Sequence, residues 1–284
     1  MDKILVTTDF SSNSKAGLRF AIQLASQHKF ELTFFHSYYI ANLTSRSDAI
    51  FVDYEKTEAD KIQKKLNQFV ESVYRDIDVV SENKKCVIKS AVFADSNVRE
   101  YAQENKFSFI CISTRGSGKL KKIFGTNTSS LISHSIVPVI AVPHNYRRSE
   151  INSVIYASDL VNLENELEKV IEFTKPLKAK VEILHFNYPT EITTNKNTID
   201  ELVKKNSKHN IKLHIENINL AKSLISNIEA VIKQSKPSMM IMFTQQNRSF
   251  FDKIFFSSNS ANYSFNAKVP LLVFNKIEGQ EMER

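Results

Sequence analysis

Glycine is scarce in this chain: 5 of 284 residues. So few glycines leave few places for positive φ or close backbone approach. Three of them, Gly116, Gly118 and Gly125, fall in one stretch, "STRGSGKLKKIFGTNTSSL", beside Arg115, Lys119, Lys121 and Lys122. Cysteine is scarcer still. Cys86 and Cys111 lie in apolar stretches, and two cysteines with no histidine cluster cannot build a tetrahedral zinc site. They read as buried thiols of a reducing cytoplasm. Long apolar runs are missing too, and none approaches the ~20 residues of a membrane span. The opening "MDKILVTTDF" starts on a strand-like run rather than a signal-peptide layout. The expectation is a cytoplasmic protein with no membrane partner.

What is present is ordinary core material and a surplus of lysine. Hydrophobic residues make up 42% of the chain, and the formal net charge is +7. The length fits two domains, at roughly 100–200 residues each. The charge reads as a soluble protein with excess lysine. The sharper reading is a partner for nucleic acid or another polyanion. Against that reading, the lysines are spread over helix-like stretches, and there is no aromatic-interleaved basic stripe, zinc knuckle or helix-turn-helix pattern. The charge does favour attraction of an anionic small ligand.

The chain repeats itself in order. "KILVTTDF" (3–10) matches "SVIYASDL" (153–160), pairing Asp9 with Asp159. "ELTFFHSYY" matches "EILHFNYP", pairing His36 with His185. "FSFICIST" matches "SMMIMFT", and "VPVIAVP" matches "VPLLVFN". One domain has been duplicated. The expected domains are 1–146 and 151–277, with the seam in the polar, basic "PHNYRRSE" (143–150).

Each half alternates strand-like and helix-like stretches. In the first half, apolar runs near 3–8, 31–37, 85–92, 107–113 and 138–142 lack clean alternation, as strands buried on both faces do. Helical periodicity marks 14–29, 54–77, 97–105 and a helix opening at 128. Five strands with four helices between them predict a doubly wound parallel sheet in each half, an α/β, Rossmann-like fold. Its ligand site belongs beyond the carboxyl ends of the strands. Asp9, after strand one, and the glycine loop, after strand four, share that end.

Two readings of the loop remain open. Glycines let successive N–H groups point at phosphate oxygens, and "GTNT" leads into a helix N-terminus that favours anions. The alternative is a basic surface turn. The loop is no Walker motif, because no Lys-Ser or Lys-Thr pair follows a glycine. It is no dinucleotide fingerprint either, since it follows strand four. Asp9 reads equally as a ligand contact or as a cap for the next helix. His36 and His185, at matching strand ends, read as structural, each bonded to nearby backbone. No Ser-His-Asp order or metal spacing supports catalysis.

Together "ILVTTDFS", "FFHSY", "ICISTRGSG…FGTNT" and "VPVIAV" resemble the universal stress protein family, in its tandem form, over essentially the whole chain. In the family's loop pattern, Ser113 takes the place of the first glycine, Gly116 is the second, and Gly125-Thr126 is the last pair. The spacer 117–124 is one residue short. The resemblance implies that Thr7, Asp9 and Ser37 sit by the nucleoside and that Ile112 lines the base pocket. It implies that Ser113, Gly116, Gly125, Thr126 and Asn127, with Gly118 in the same loop, hold ribose and phosphates. The implied ligand is ATP or another adenine nucleotide, with or without Mg. The implied role is stress-linked regulation, with at most slow ATP hydrolysis. Family members dimerise, so a tandem chain makes an internal pseudo-dimer, and homodimers of whole chains are a further option.

The second half departs from the pattern. Its loop, "FTQQNRSFFDKIFFSSNS" (243–260), has no glycine, and Phe243 and Gln246 replace the two leading glycines. Its four other phenylalanines add bulk and read as internal packing. The expectation is that this half binds no nucleotide in the family's manner. The competing expectation is a nucleotide-independent family member acting through protein contacts.

Overall fold

A computed structural model of the chain describes residues 1–41, 48–80, 84–114, 126–188, 201, 203–244 and 269–275. These fall into two compact units, one running to Arg148 and the other starting at Ser149.

Unit 1 runs β1 (Lys3–Thr7), α1 (Lys15–Gln27), β2 (Glu31–Tyr38), α2 (Asp48–Asp76), β3 (Lys85–Ser90), α3 (Ala94–Glu104), β4 (Phe109–Ser113), α4 (Thr126–His134) and β5 (Val139–Val142). Its strands are parallel, in the order β3-β2-β1-β4-β5. The chain moves outward from β1 to β3 and then returns to β4. The order therefore reverses between β1 and β4, and a crevice opens there at the carboxyl ends. The central strands are continuous apolar runs because helices cover both faces: Ile4, Leu5, Val6, Ile110 and Cys111 are fully buried. The helices bury one stripe each; Leu18, Phe20, Ala21 and Leu24 of α1 are sequestered.

Two boundaries differ from the periodicity reading. α2 begins at Asp48, upstream of residue 54. The third strand stops early, because its pairing with β2 ends at Tyr38 opposite Ser90. Val92, read as strand, forms an exposed link with Phe93, and α3 starts at Ala94, upstream of residue 97.

Gly17 marks the closest approach of α1 to β4. A Cβ there would lie 3.2 Å from the Ser113 nitrogen and 3.4 Å from the Ile112 carbonyl carbon. The neighbour is central-strand backbone, which has nowhere to move. Gly17→Val is therefore expected to destabilise unit 1 by about 1–3 kcal/mol, as overpacking does. Urea melts of the full chain would measure it.

Unit 2 repeats the plan with β6 (Ser153–Ala157), α5 (Leu163–Thr174), β7 (Lys180–Asn187), β8 (Ile211–Asn217), α6 (Leu224–Ser235), β9 (Met239–Phe243) and β10 (Leu271–Phe274). These strands are parallel in the order β8-β7-β6-β9-β10. The correspondence is residue by residue: Ile4 pairs with Phe109 and Val154 with Met239, so Ser113 and Phe243 hold equivalent places.

On β8, His214 stands between two carboxylates. Its Nδ1 lies 2.5 Å from Glu182 Oε1 and its Nε2 3.0 Å from Glu216 Oε2. Carboxylates only accept, so both contacts call for N–H, which is the imidazolium. Partial burial pulls the His214 pKa down, but the bonds to Glu182 and then Glu216 outweigh it, and the net direction is upward. A raised value stabilises the fold fully below the unfolded pKa, near 6.5, and that gain is lost as pH rises through the folded value. The melting temperature is expected to fall with rising pH above about 6.5, and His214→Gln to flatten that slope. Thermal melts from pH 6 to 9 would measure both.

Candidate functional site

The turn after β1 is held from within. Phe10 adopts φ 62°, a left-handed conformation that a bulky residue takes only under constraint. The constraint is a set of hydrogen bonds. Phe10 N–H donates to Thr8 Oγ1 at 3.1 Å, and Ser11 N–H donates to Asp9 Oδ1 at 3.0 Å. Thr8 Oγ1 and Ser14 Oγ are 2.8 Å apart. Asp9 therefore closes its own turn, while the helix α1 takes Ser14 as its N-cap residue. The Asp9 carboxylate sits on an exposed turn at the sheet's carboxyl edge.

His36 supports the turn from below. Its Nδ1–H donates to the Thr8 carbonyl at 2.8 Å, and Phe10 lies on its ring at 4.1 Å between centroids. Lys65 Nζ stands 4.5 Å over the Phe10 ring. Burial lowers the His36 pKa, with Lys65 adding to the effect, so the ring is neutral near pH 7. The arrangement recurs in unit 2. His185 Nδ1–H donates to the Ser158 carbonyl at 3.0 Å, Leu160 has φ 65°, and Val161 N–H donates to Asp159 Oδ1 at 3.0 Å. Both histidines are structural, as their matched positions predict.

The β4 end is small and polar in unit 1. Ser113 is buried, and its hydroxyl donates to the Asn13 carbonyl at 2.9 Å, tying β4 to the loop before α1. Thr128 Oγ1 donates to the Ser113 carbonyl at 3.1 Å, which sets the start of α4 against the same strand. Asn127 is exposed in that first turn, where helical N–H groups lack intrahelical acceptors. Thr7 is buried, its hydroxyl donating to the Cys111 carbonyl at 3.5 Å. Ile112 is half-buried next to Ser113. Thr7, Asp9, Ile112, Ser113 and Asn127 thus stand on elements that meet at the switch point. Thr126 opens α4, though its side chain lies outside the described residues, as do Gly116, Gly118 and Gly125.

Ser37 stands one strand further out, on β2. Asn97 fixes it, donating from Nδ2 to Ser37 Oγ at 2.7 Å and to the Lys89 carbonyl at 3.0 Å. Asn97 is buried in the first turn of α3. Sequence reasoning missed it, as it missed Thr8, Asn13 and Thr128. Each acts through local backbone geometry, which leaves no spacing signal. Cys111 is buried, its Sγ–H pointing at the Gly17 carbonyl, 3.4 Å away. Cys86 is only half-buried, and burial pushes its thiol up to about 11. Neither is a reactive thiolate at neutral pH.

In unit 2 the equivalent space is filled. Phe243 is buried where unit 1 has Ser113. It stacks on Phe274 at 4.9 Å and meets Tyr156 edge-on at 5.8 Å. The Tyr156 hydroxyl donates to Glu166 Oε2 on α5 and accepts from Ser158 Oγ at 3.1 Å. Glu166 is buried, and burial with this acidic neighbour drives the Tyr156 pKa far upward.

A doubly wound parallel sheet with a braced acidic turn after its first strand and a helix N-terminus after its fourth defines a Rossmann-like α/β module. The chain belongs to the universal stress protein family, whose model matches residues 1–143. No curated protein matches the chain. Among solved structures it is similar over 98% of its length to a universal stress protein from Archaeoglobus fulgidus DSM 4304. That likeness has 18% identity and a TM-score of 0.66, and covers 97% of the other chain. It is also similar to a putative universal stress protein from Pseudomonas aeruginosa UCBPP-PA14, at 12% identity and TM-score 0.55, over 97% of this chain and 93% of that one. These likenesses establish the fold across both units. Among the described residues, no helix is long and apolar enough to cross a membrane.

Proposed function

We propose that unit 1 binds ATP or a related adenine nucleotide and that unit 2 does not, the chain serving as a stress-response regulator rather than a fast enzyme. The observation that carries this reading is the contrast between Ser113 and Phe243. Ser113 leaves space at the β4 end and braces both flanking loops. At the equivalent place, Phe243 closes the space with an aromatic stack. The residues of unit 1 fit a nucleotide. Asp9 and Ser37 provide polar contacts for a nucleoside, and Ile112 gives the base an apolar wall. The first turn of α4, entered from the glycine loop, offers N–H groups to phosphate. No cluster of three or more metal-ligating side chains occurs among the described residues, so Mg would arrive with the phosphates.

Unit 2 is unsuited for a further reason. The buried Glu166 side chain is bonded to Tyr156, which packs on Phe243, and so adds to the filling of that strand end. Calorimetry of the full chain with ATP·Mg tests the proposal. Saturable heat is expected, and Gly116→Val, which cannot adopt glycine's backbone conformations, should abolish it. No binding at millimolar nucleotide would sink it and favour a family member that works through protein contacts alone.

A further inference from the structure

A different feature sets unit 2 apart, on the sheet face packed by α6 and at the amino ends of its strands. In unit 1 two aromatic rings roof this face. Tyr101 lies on Phe35 at 4.9 Å and on Phe107 at 5.9 Å. Lys3 and Lys89 place their ammonium groups over these rings, at 5.2 and 5.9 Å. Backbone bonding gives the matching positions. Ser108 N–H donates to the Lys3 carbonyl, and Ser238 N–H donates to the Ser153 carbonyl. The helices before these serines end alike, with Lys106 and Lys236 both at positive φ. Phe107 therefore matches Pro237, Tyr101 matches Val231, and Lys3 matches Ser153. On the strands, Thr33 pairs with Lys85 as Glu182 pairs with Lys212, so Val87 matches His214 and Lys89 matches Glu216.

Phe107 and Lys3 of the roof are replaced in unit 2 by the smaller Pro237 and Ser153, and these two residues line a cavity of about 610 Å³. That is within the ~300–1,000 Å³ typical of small-ligand sites. Ile155 and Pro237 give it apolar walls, while Lys180, Lys212, Glu182 and His214 give it charge. The charges are not all engaged. Glu182 and Glu216 are both held by His214. Lys180 and Lys212 make no ion pair among the described residues, although the Lys212 position directly faces Glu182 across the ladder. The cavity thus combines the space of a lost aromatic ring with two ammonium groups that make no ion pair among the described residues.

We propose that this cavity is a binding site for a small planar organic acid, its ring seated beside Pro237, where unit 1 carries Phe107, and its carboxylate on Lys180 and Lys212. The ring would bury apolar surface against Ile155 and Pro237, and the carboxylate would take charge-assisted hydrogen bonds from the lysines. His214, clamped by Glu182 and Glu216, is a wall and a reporter rather than the anion's partner. The site is independent of the nucleotide reading of unit 1.

The test uses the full chain and benzoate, with the ring resonances of His214 followed by NMR. Saturable shifts at sub-millimolar to millimolar benzoate are expected. The Lys180→Ala/Lys212→Ala variant, which leaves the core untouched, should weaken binding at least tenfold. The Ser153→Lys/Pro237→Phe variant, which restores the unit 1 roof residues at the cavity, should abolish it. Benzyl alcohol and inorganic phosphate, each supplying half of the recognition, should bind at least tenfold more weakly than benzoate. Absence of saturable shifts would overturn the site. Unchanged affinity in the lysine variant, or in a folded roof-restored variant, would also overturn it, as would phosphate or benzyl alcohol matching benzoate.

Discussion

Placing phenylalanine at Ser113 is expected to weaken ATP binding by about a hundredfold or more, a loss of roughly 2.7 kcal/mol or greater. The reasoning runs from the strand outward. Ser113 is buried at the end of β4, facing Asn13 in the loop before α1. Its unit 2 equivalent is already a phenylalanine, and there the ring is taken up by Phe274 and Tyr156. Unit 1 has Val142 and Val6 at the corresponding positions, and these cannot stack on a ring. The ring must then stand out from the β4 end, next to the start of α4. The fold itself should survive, because the substitution gives up one hydrogen bond worth about 1 kcal/mol and adds apolar surface. Calorimetry with ATP·Mg and a thermal melt of the same variant separate the two effects. Unchanged affinity in a folded Ser113→Phe protein would show that the β4 end does not touch the ligand.

The reciprocal change should damage the fold instead. Phe243→Ala is expected to destabilise unit 2 by about 3–5 kcal/mol, the usual cost of deleting a buried aromatic ring and leaving its cavity. Phe243 is one of the largest fully buried side chains and joins two aromatic partners. For a unit of this size the loss corresponds to a fall in melting temperature of roughly 10 °C or more. It should confer no nucleotide binding, because the Tyr156–Glu166 pair still occupies the space beside it. Differential scanning calorimetry with and without ATP reads both outcomes. A drop of only a degree or two would mean that the aromatic stack is not a structural substitute for the site.

Much of the fold is legible from residue pattern alone. The five apolar runs of the first half became five strands, and in the central β1, β4 and β5 burial on both faces removes alternation, which is a sequence-level property. The matched Asp9/Asp159 and His36/His185 pairs point to a shared turn, since a duplicated domain retains what its backbone requires. The site is only partly legible. Thr7, Asp9, Ile112 and Ser113 lie at the carboxyl ends of the neighbouring strands β1 and β4 because strand order puts those ends side by side, and Asn127 lies in the first turn of α4. Asn97, Thr8, Asn13 and Thr128 escape notice because each satisfies a single backbone or hydroxyl group, and such bonds follow no spacing rule. The Tyr156–Glu166 pair was hidden for a different reason. A tyrosine in a strand and a glutamate in a helix are unremarkable separately, and only packing brings them together. The unit 2 cavity was equally invisible, because it consists of side chains that are missing relative to unit 1.

The most direct test of the central claim, one nucleotide site in a duplicated chain, is the number of ATP molecules bound per chain at saturation, measured by equilibrium dialysis with Mg present. The asymmetry between Ser113 and Phe243 predicts one, lost on Gly116→Val and retained when Asp159 is changed to Ala. Two per chain, or none at millimolar ATP, would contradict it.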